Sequence, residues 1–223
     1  KGRAKDDGSI PSYLQFRSSQ NDPQNSSADI SRKRSDGSRQ RFVRTFNVWK
    51  LEPMKTQQMD VWSSEFGEAY TKRNSFQGIE AFEAFYVDRF GKTRTELNEI
   101  YLGNLPKSAP ILEVGCNIGN QLHCLRNAGF ENLFGVELQQ SAVEWAHTNR
   151  PWLNIVQGSA FDIPFKDQFF DVVFTNNVLI HIAPTDLANV LGEMHRVTRR
   201  HIWGFEYYAP ELVKIPYRGE TSL

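Results

Sequence analysis

Cysteine is scarce in this 223-residue chain: Cys116 and Cys124 are the only two, and they form no C-x-x-C pair. That excludes a disulfide scaffold and a cysteine-based zinc site, and it fits a reduced, cytoplasmic protein. No run of about eighteen apolar residues occurs, so no membrane-spanning helix is expected. Net charge is also missing: 26 Lys and Arg face 26 Asp and Glu, which removes any overall signal for nucleic acid or lipid. The five histidines lack metal-ligand spacing. The chain opens at Lys1 rather than Met, which leaves room for a removed targeting segment. What is present, 39% hydrophobic and 13% aromatic residues, suffices for one good core with appendages.

The charge is unevenly spread. Residues 1–50 hold 11 Lys and Arg against 5 Asp and Glu, so that segment carries +6 and the remainder −6. Its text, "SSQNDPQNSSADISRKRSDGSRQR", lacks apolar periodicity and buries too little surface to offset its ordering entropy. Residues 1–55 therefore read as a flexible basic tail or linker. The Arg32-Lys33-Arg34 cluster admits a nucleic-acid reading beside that of a solvated tail or transit remnant.

Order is expected from Thr56. Trp62, Phe66 and Tyr70 share one face of a helix of about four turns ending near Asn74. Ile79, Phe82, Phe85 and Tyr86 mark a second helix that stops at Gly91. Thr93 and Glu96 form a capping box for a third, ending around Gly103. Residues 56–105 thus read as a helical cover or lid, and its aromatic stripe as packing.

Residues 106–223 alternate strands and helices. Strands are expected at 111–114, 133–137, 155–156, 171–175 and 202–207. Helices are expected at 120–127, from a Ser141/Glu144 capping box to before Pro151, and from Thr185 to about Arg199. This pattern predicts a doubly wound, mostly parallel α/β sheet of Rossmann-like type. Only fifteen residues follow Tyr208, so the C-terminal sheet edge is expected to be truncated and open to a protein partner.

In such sheets ligands bind at the carboxyl ends of the strands. There the first strand breaks into Gly115, Cys116, Asn117, Ile118 and Gly119 before a helix restarts, so backbone amides and a helix N-terminus are expected to face the crevice. Asn117 is the non-glycine residue that best tolerates left-handed backbone. Glu137, 22 residues after Gly115, stands where a carboxylate accepts from both hydroxyls of a ribose. A dinucleotide site wants G-x-G-x-x-G, whereas Glu113, two residues before the first glycine, repels phosphate and suits a ligand with an ammonium and a sulfonium. S-adenosylmethionine has both.

"ILEVGCNIGN" and "GSAFDIPFKDQFFDVVFTNNVLIHI" resemble motif regions of the class I S-adenosylmethionine-dependent methyltransferases. Together with "VWSSEFGEAYTKRN", "VLIHI" and "GFEYYAPELVKIPYRG", the text from about residue 56 to 220 is similar to the methylases associated with pseudaminic acid biosynthesis, a nonulosonic sugar pathway. The resemblance implies that Glu113 supports the turn and the methionine amine. Gly115, Asn117 and Gly119, with Asn120, would let backbone approach the methionine part, and Glu137 with Leu138 would hold the ribose. It implies Ser159, Ala160 and Phe161 at the adenine, Ser159 replacing a commoner Asp, and Asn176 beside the methyl group.

His181 has two readings, packing of its own segment and general base for a hydroxyl acceptor. Tyr70 and Arg73 are further candidates for orienting an anionic acceptor. Three functions follow: a methyltransferase acting on a sugar or similar small molecule, a nucleic-acid methyltransferase guided by the tail, and a non-catalytic scaffold of the same fold. The absence of an Asn/Asp-Pro-Pro-Tyr/Phe motif counts against base amino methylation.

Overall fold

The computed structural model describes residues 13–14, 55–76, 78–211 and 213. The Arg32-Lys33-Arg34 cluster and nearly all of the basic tail lie outside these residues. The strands are β1 (Tyr13–Leu14), β2 (Ile111–Val114), β3 (Leu133–Glu137), β4 (Asn154–Gln157), β5 (Phe170–Asn176) and β6 (Thr198–Tyr207). The helices are α1 (Gln57–Trp62), α2 (Glu65–Asn74), α3 (Ile79–Phe90), α4 (Arg94–Leu102), α5 (Asn120–Asn127), α6 (Gln140–Asn149) and α7 (Leu187–Val197), with a 3-10 turn at Leu179–His181.

The sheet order is β1-β6-β5-β2-β3-β4, parallel throughout except at β1. Starting in the middle with β2 and stepping outward to β3 and then to β5 creates the reversal of order that opens a crevice over β2 and β5. The central strands are apolar on both faces because helices cover both. On one face Ile111, Val172, Phe174 and Trp203 meet α3 to α6; on the other Leu112, Val114, Val173 and Phe170 meet Val190 and Met194 of α7. Truncating a side chain such as the fully buried Phe174 to Ala costs about 3–5 kcal/mol.

Most expected elements fall where the sequence pattern puts them; the departures have local causes. The expected four-turn helix is two helices. Ser64 interrupts it, its Oγ donating to the Val61 carbonyl (2.7 Å) and accepting from Phe66 N–H (3.3 Å), so it closes α1 and caps α2. The stripe survives the break, with the Trp62 ring 5.3 Å from Phe66 and 5.1 Å from Tyr70. The Ser141/Glu144 capping box does not form: α6 begins at Gln140, and Glu144 instead accepts from Gln140 Nε2 (2.8 Å). Strand β6 starts at Thr198, earlier than the apolar run suggests, because it continues directly from α7, with Thr198 Oγ1 donating to the Met194 carbonyl. The Thr93/Glu96 capping box and the Gly91 left-handed cap are both present.

The β6 edge is not left bare. Tyr13 and Leu14, from the segment read as a flexible tail, pair antiparallel with Tyr207 and Glu206. Backbone groups of an edge strand need partners, and here the chain supplies two residues of its own.

Candidate functional site

A cavity of about 350 Å³ opens at the carboxyl ends of β2, β3 and β5, beneath α1, α2 and α3. Its size is within the range of small-molecule sites. Tyr70, Glu113, Gly115, Asn117, Asn120, Glu137, Leu138, Ser159, Ala160, Phe161, Asn176 and His181 all line it. Gly119 and Arg73 do not. Arg73 is exposed on α2, so it is not brought to the cavity. Gly119 is the left-handed N-cap of α5, and a Cβ there would strike Ile155 and Leu153 at 2.8 Å; its smallness serves packing.

The turn after β2 is left-handed at Gly115 (φ 74°), Asn117 (φ 48°) and Gly119 (φ 77°). Four of its five amides are engaged within the protein. Gly115 and Cys116 N–H both donate to the Val136 carbonyl, Gly119 N–H to Cys116, and Asn117 N–H to Glu137 Oε2 (2.8 Å). A Cβ on Gly115 would lie 2.6 Å from Val178 Cγ2, so this glycine lets the loop after β5 pack against the turn after β2.

Two buried carboxylates dominate the electrostatics. Glu137 is held by two backbone amides, Asn117 on Oε2 and Gln139 on Oε1 (2.9 Å). Burial raises its pKa, and those amides partly oppose the rise. Each oxygen retains a lone pair for a ligand hydroxyl. Glu113 differs: it is 2% exposed and its Oε2 has no hydrogen-bond partner. Burial pushes its pKa well up, Arg94 and Arg150 pull it down, and Glu137 pushes it further up. An orphaned buried carboxyl oxygen is costly, and a ligand ammonium would relieve it.

The helices close over this end. Asn117 Nδ2 donates to Thr71 Oγ1 (2.7 Å), which donates in turn to Gln139 Oε1 (3.1 Å), so α2 is tied to the loops after both β2 and β3. Arg150 holds the turn from below through the Ile118 carbonyl and Asn120 Oδ1, both at 2.7 Å. Ser159 Oγ accepts from Phe161 N–H (3.1 Å), so that hydroxyl already stabilises its own turn.

At the other end, His181 packs edge-on against Trp62, 4.5 Å between ring centres, and burial lowers its pKa to about 4. The imidazole is therefore neutral across the physiological range. Asn176 Nδ2 (3.4 Å) and Gln121 Nε2 (2.6 Å) both donate to the Tyr86 hydroxyl in the cavity wall. Glu206 accepts from Val178 and Leu179 N–H at 3.1 and 3.2 Å, and burial raises its pKa to about 7.

Thr71, Tyr86, Gln121, Arg150 and Glu206 were not legible as site residues. Tyr86 belonged to a stripe with helical spacing, which signals packing; the others act through contacts far away in sequence. Among the described residues no cluster of His, Cys, Asp and Glu could hold a metal, and no helix is long and apolar enough to cross a membrane.

Comparison with known proteins fits this geometry. Residues 112–201 match the family model described as a methyltransferase domain. An uncharacterized methyltransferase of Synechocystis is 30% identical over 89 residues, 40% of this chain and 42% of that protein. Sterol methyltransferase-like 2 of Botryococcus braunii is 32% identical over 122 residues, 50% of this chain and 31% of that one. The chain thus spans less than half the length of these curated relatives. A solved structure of a Pyrococcus horikoshii protein has 22% identity and a TM-score of 0.48, covering 59% of this chain and 61% of that one. Residues 112–201 are thus similar to a methyltransferase domain, and they lie in a mostly parallel sheet of Rossmann-like type.

Proposed function

We propose that the chain is an S-adenosylmethionine-dependent methyltransferase acting on a small, uncharged, hydroxyl-bearing acceptor. The observation that carries this reading is the convergence of two unlike carboxylates on one cavity: Glu137, with lone pairs to spare, and Glu113, with an orphaned oxygen. The donor set fits S-adenosylmethionine, whose ammonium would meet Glu113 and whose ribose diol would meet Glu137. The buried carboxyl of Glu113 beside the glycine turn counts against a pyrophosphate.

When bound, the cofactor supplies a methyl group on a positively charged sulfur. Displacement at that carbon disperses charge, so the protein contributes alignment and exclusion of water rather than bond chemistry. The helices α1 and α2 act as the lid, with Trp62 and Tyr70 over the cavity and Thr71 as the latch. His181 is neutral and is the candidate to accept a hydroxyl proton, although a pKa of about 4 makes it a weak base.

For the acceptor, the wall offers aromatic faces such as Trp62, Phe76, Phe85 and Tyr86, with two carboxylates and no Lys or Arg among the described residues. The resemblance to nonulosonic sugar-pathway methylases motivates a sugar. The charge of the wall favours a neutral sugar or another flat-faced neutral molecule over a free sugar acid. The name of the sterol methyltransferase-like relative is consistent with an apolar-faced acceptor. Incubation with methyl-labelled S-adenosylmethionine, a neutral and an acidic small-molecule fraction, and RNA tests this. Label is expected in the neutral fraction. Label confined to the acidic fraction or to RNA would refute the acceptor reading, and bound cofactor with no transfer would favour the scaffold.

A further inference from the structure

Tyr86 stands in the cavity wall, 3% exposed, and two amides meet at its hydroxyl: Gln121 Nε2 from α5 at 2.6 Å and Asn176 Nδ2 from the end of β5 at 3.4 Å. All three residues line the cavity. Burial raises the Tyr86 pKa, so the phenol keeps its proton. A hydroxyl has one proton and two lone pairs, and here both lone pairs are taken. Among the described residues nothing accepts the proton. Gln121 Oε1 and Asn176 Oδ1, both buried, have no hydrogen-bond partner either.

Inverting one amide does not cure this. The phenol would then donate to that amide's oxygen, but its NH2 would become the orphan while the other amide's oxygen stayed unmet. Inverting both would set two amide oxygens against a hydroxyl with a single proton. In every workable arrangement the wall therefore holds at least one unmet donor and one unmet acceptor side by side. Buried groups left in that condition are costly, and a ligand that met them would remove the cost.

That parity identifies the ligand group. A carboxylate brings acceptors alone, and it would also face Glu113, which lines the same cavity. An ammonium brings donors alone. A hydroxyl brings both, and two neighbouring hydroxyls bring them at two points. The cluster belongs to the β5–β6 end: Asn176 pairs with Phe205 of β6, and the Tyr86 ring lies 6.2 Å from the Phe205 ring. Phe82 and Phe85, 5.0 and 5.7 Å from Tyr86, add an apolar flank that also lines the cavity. A few directed polar groups beside an apolar face fix the orientation of a ligand that has both.

Resting on the methyltransferase reading above, we propose that Tyr86, Gln121 and Asn176 form the recognition subsite of the methyl acceptor and bind a neutral ring through a pair of adjacent hydroxyls. Tyr86 donates to a hydroxyl oxygen, and the amide oxygens accept the hydroxyl protons. The cluster positions the acceptor and takes no part in the transfer itself.

Four probes that share one ring and differ in the polar group test this: trans-cyclohexane-1,2-diol, cyclohexanol, cyclohexylamine and cyclohexanecarboxylate, each titrated by NMR into the protein saturated with S-adenosylhomocysteine. The diol is expected to bind about tenfold more tightly than any of the others. Tyr86→Phe removes only the hydroxyl, and Gln121→Met keeps the volume. Each should erase most of that preference while the dissociation constant of S-adenosylhomocysteine stays within about threefold.

Tightest binding of the amine or the carboxylate, no binding of the diol, or a preference for the diol that survives both substitutions would overturn the proposal. So would an equal loss of affinity for S-adenosylhomocysteine, which would give the cluster to the cofactor instead. Failure of the cofactor reading looks different. The wild type would then bind neither S-adenosylmethionine nor S-adenosylhomocysteine, while the diol titrated alone would still show the preference and lose it in Tyr86→Phe.

Discussion

The two ends of the cavity are built alike and tuned differently. At the β2–β3 end a left-handed asparagine, Asn117, turns the chain after a central strand, and a carboxylate from the neighbouring strand, Glu137, gathers two backbone amides. At the β5–β6 end Asn177 (φ 56°) makes the corresponding turn and Glu206 gathers the amides of Val178 and Leu179. The same device, a buried acid fixing the loop of the adjacent strand, thus appears twice. The first end is further tied to α2 through Thr71 and underpinned by Arg150. The second carries two groups with strongly moved pKa values, Glu206 at about 7 and His181 at about 4. On the proposed function, the first end holds the cofactor and the second, titratable end faces the acceptor.

The largest test of this contrast is a pair of substitutions. Glu137→Ala is expected to weaken S-adenosylmethionine binding roughly a hundredfold, from the loss of two charge-assisted bonds worth about 3 kcal/mol together. Glu206→Ala should leave affinity within a few fold, as read by the same titration. Equal losses would erase the distinction between the two ends.

Next in size is the proposed lid. A Cβ at Gly67 would meet the Trp62 carbonyl oxygen at 1.9 Å and Gln139 Cδ at 2.9 Å, so Gly67→Ala must push α2 away from the end of α1. A thermal unfolding shift equivalent to about 1–3 kcal/mol is expected. Thr71→Val, which only cuts the latch, should cost about 1 kcal/mol.

The pH dependence of stability separates the ends more finely. Glu206 has its pKa raised from 4.5 to about 7, so its contribution is fully present below pH 4.5 and is lost as pH rises through about 7. His181 has its pKa lowered from 6.5 to about 4, so its contribution is present above pH 6.5 and is lost as pH falls through about 4. The two oppose one another in the shared window. Melting temperatures of Glu206→Gln should therefore climb more steeply with pH than the wild type between those limits, and those of His181→Asn should fall. Parallel curves for all three proteins would show that neither group titrates in this way.

Smallest is the asparagine pair. Asn117→Gly sacrifices the bond to Thr71 and should cost about 1 kcal/mol despite easing the left-handed turn. Asn177, whose Oδ1 has no partner, should accept Gly within about 0.5 kcal/mol.

These contrasts also mark what the sequence could disclose. The strands Ile111–Val114 and Leu133–Glu137 and the helix Asn120–Asn127 were legible to the residue, because apolar runs and glycine stops are local signals. The break at Ser63 and Ser64 was hidden, since a stripe repeating every four residues is the same whether one helix continues or two short ones abut. Glu113 and Glu137 stood out from their spacing to Gly115. Arg94, Arg150 and Glu206 did not, because a charge owes its meaning to what is packed around it. Arg73 misled for the same reason: position on α2 does not fix which way its exposed side chain faces.

The central claim, that Glu137 and Glu113 hold the two ends of one nucleoside-bearing cofactor, is tested most directly by calorimetric titration of S-adenosylmethionine into the wild-type protein and into Glu137→Ala. The account predicts one saturable site in the wild type and roughly a hundredfold loss in the variant. No measurable heat in the wild type, or equal affinity in both proteins, would contradict it.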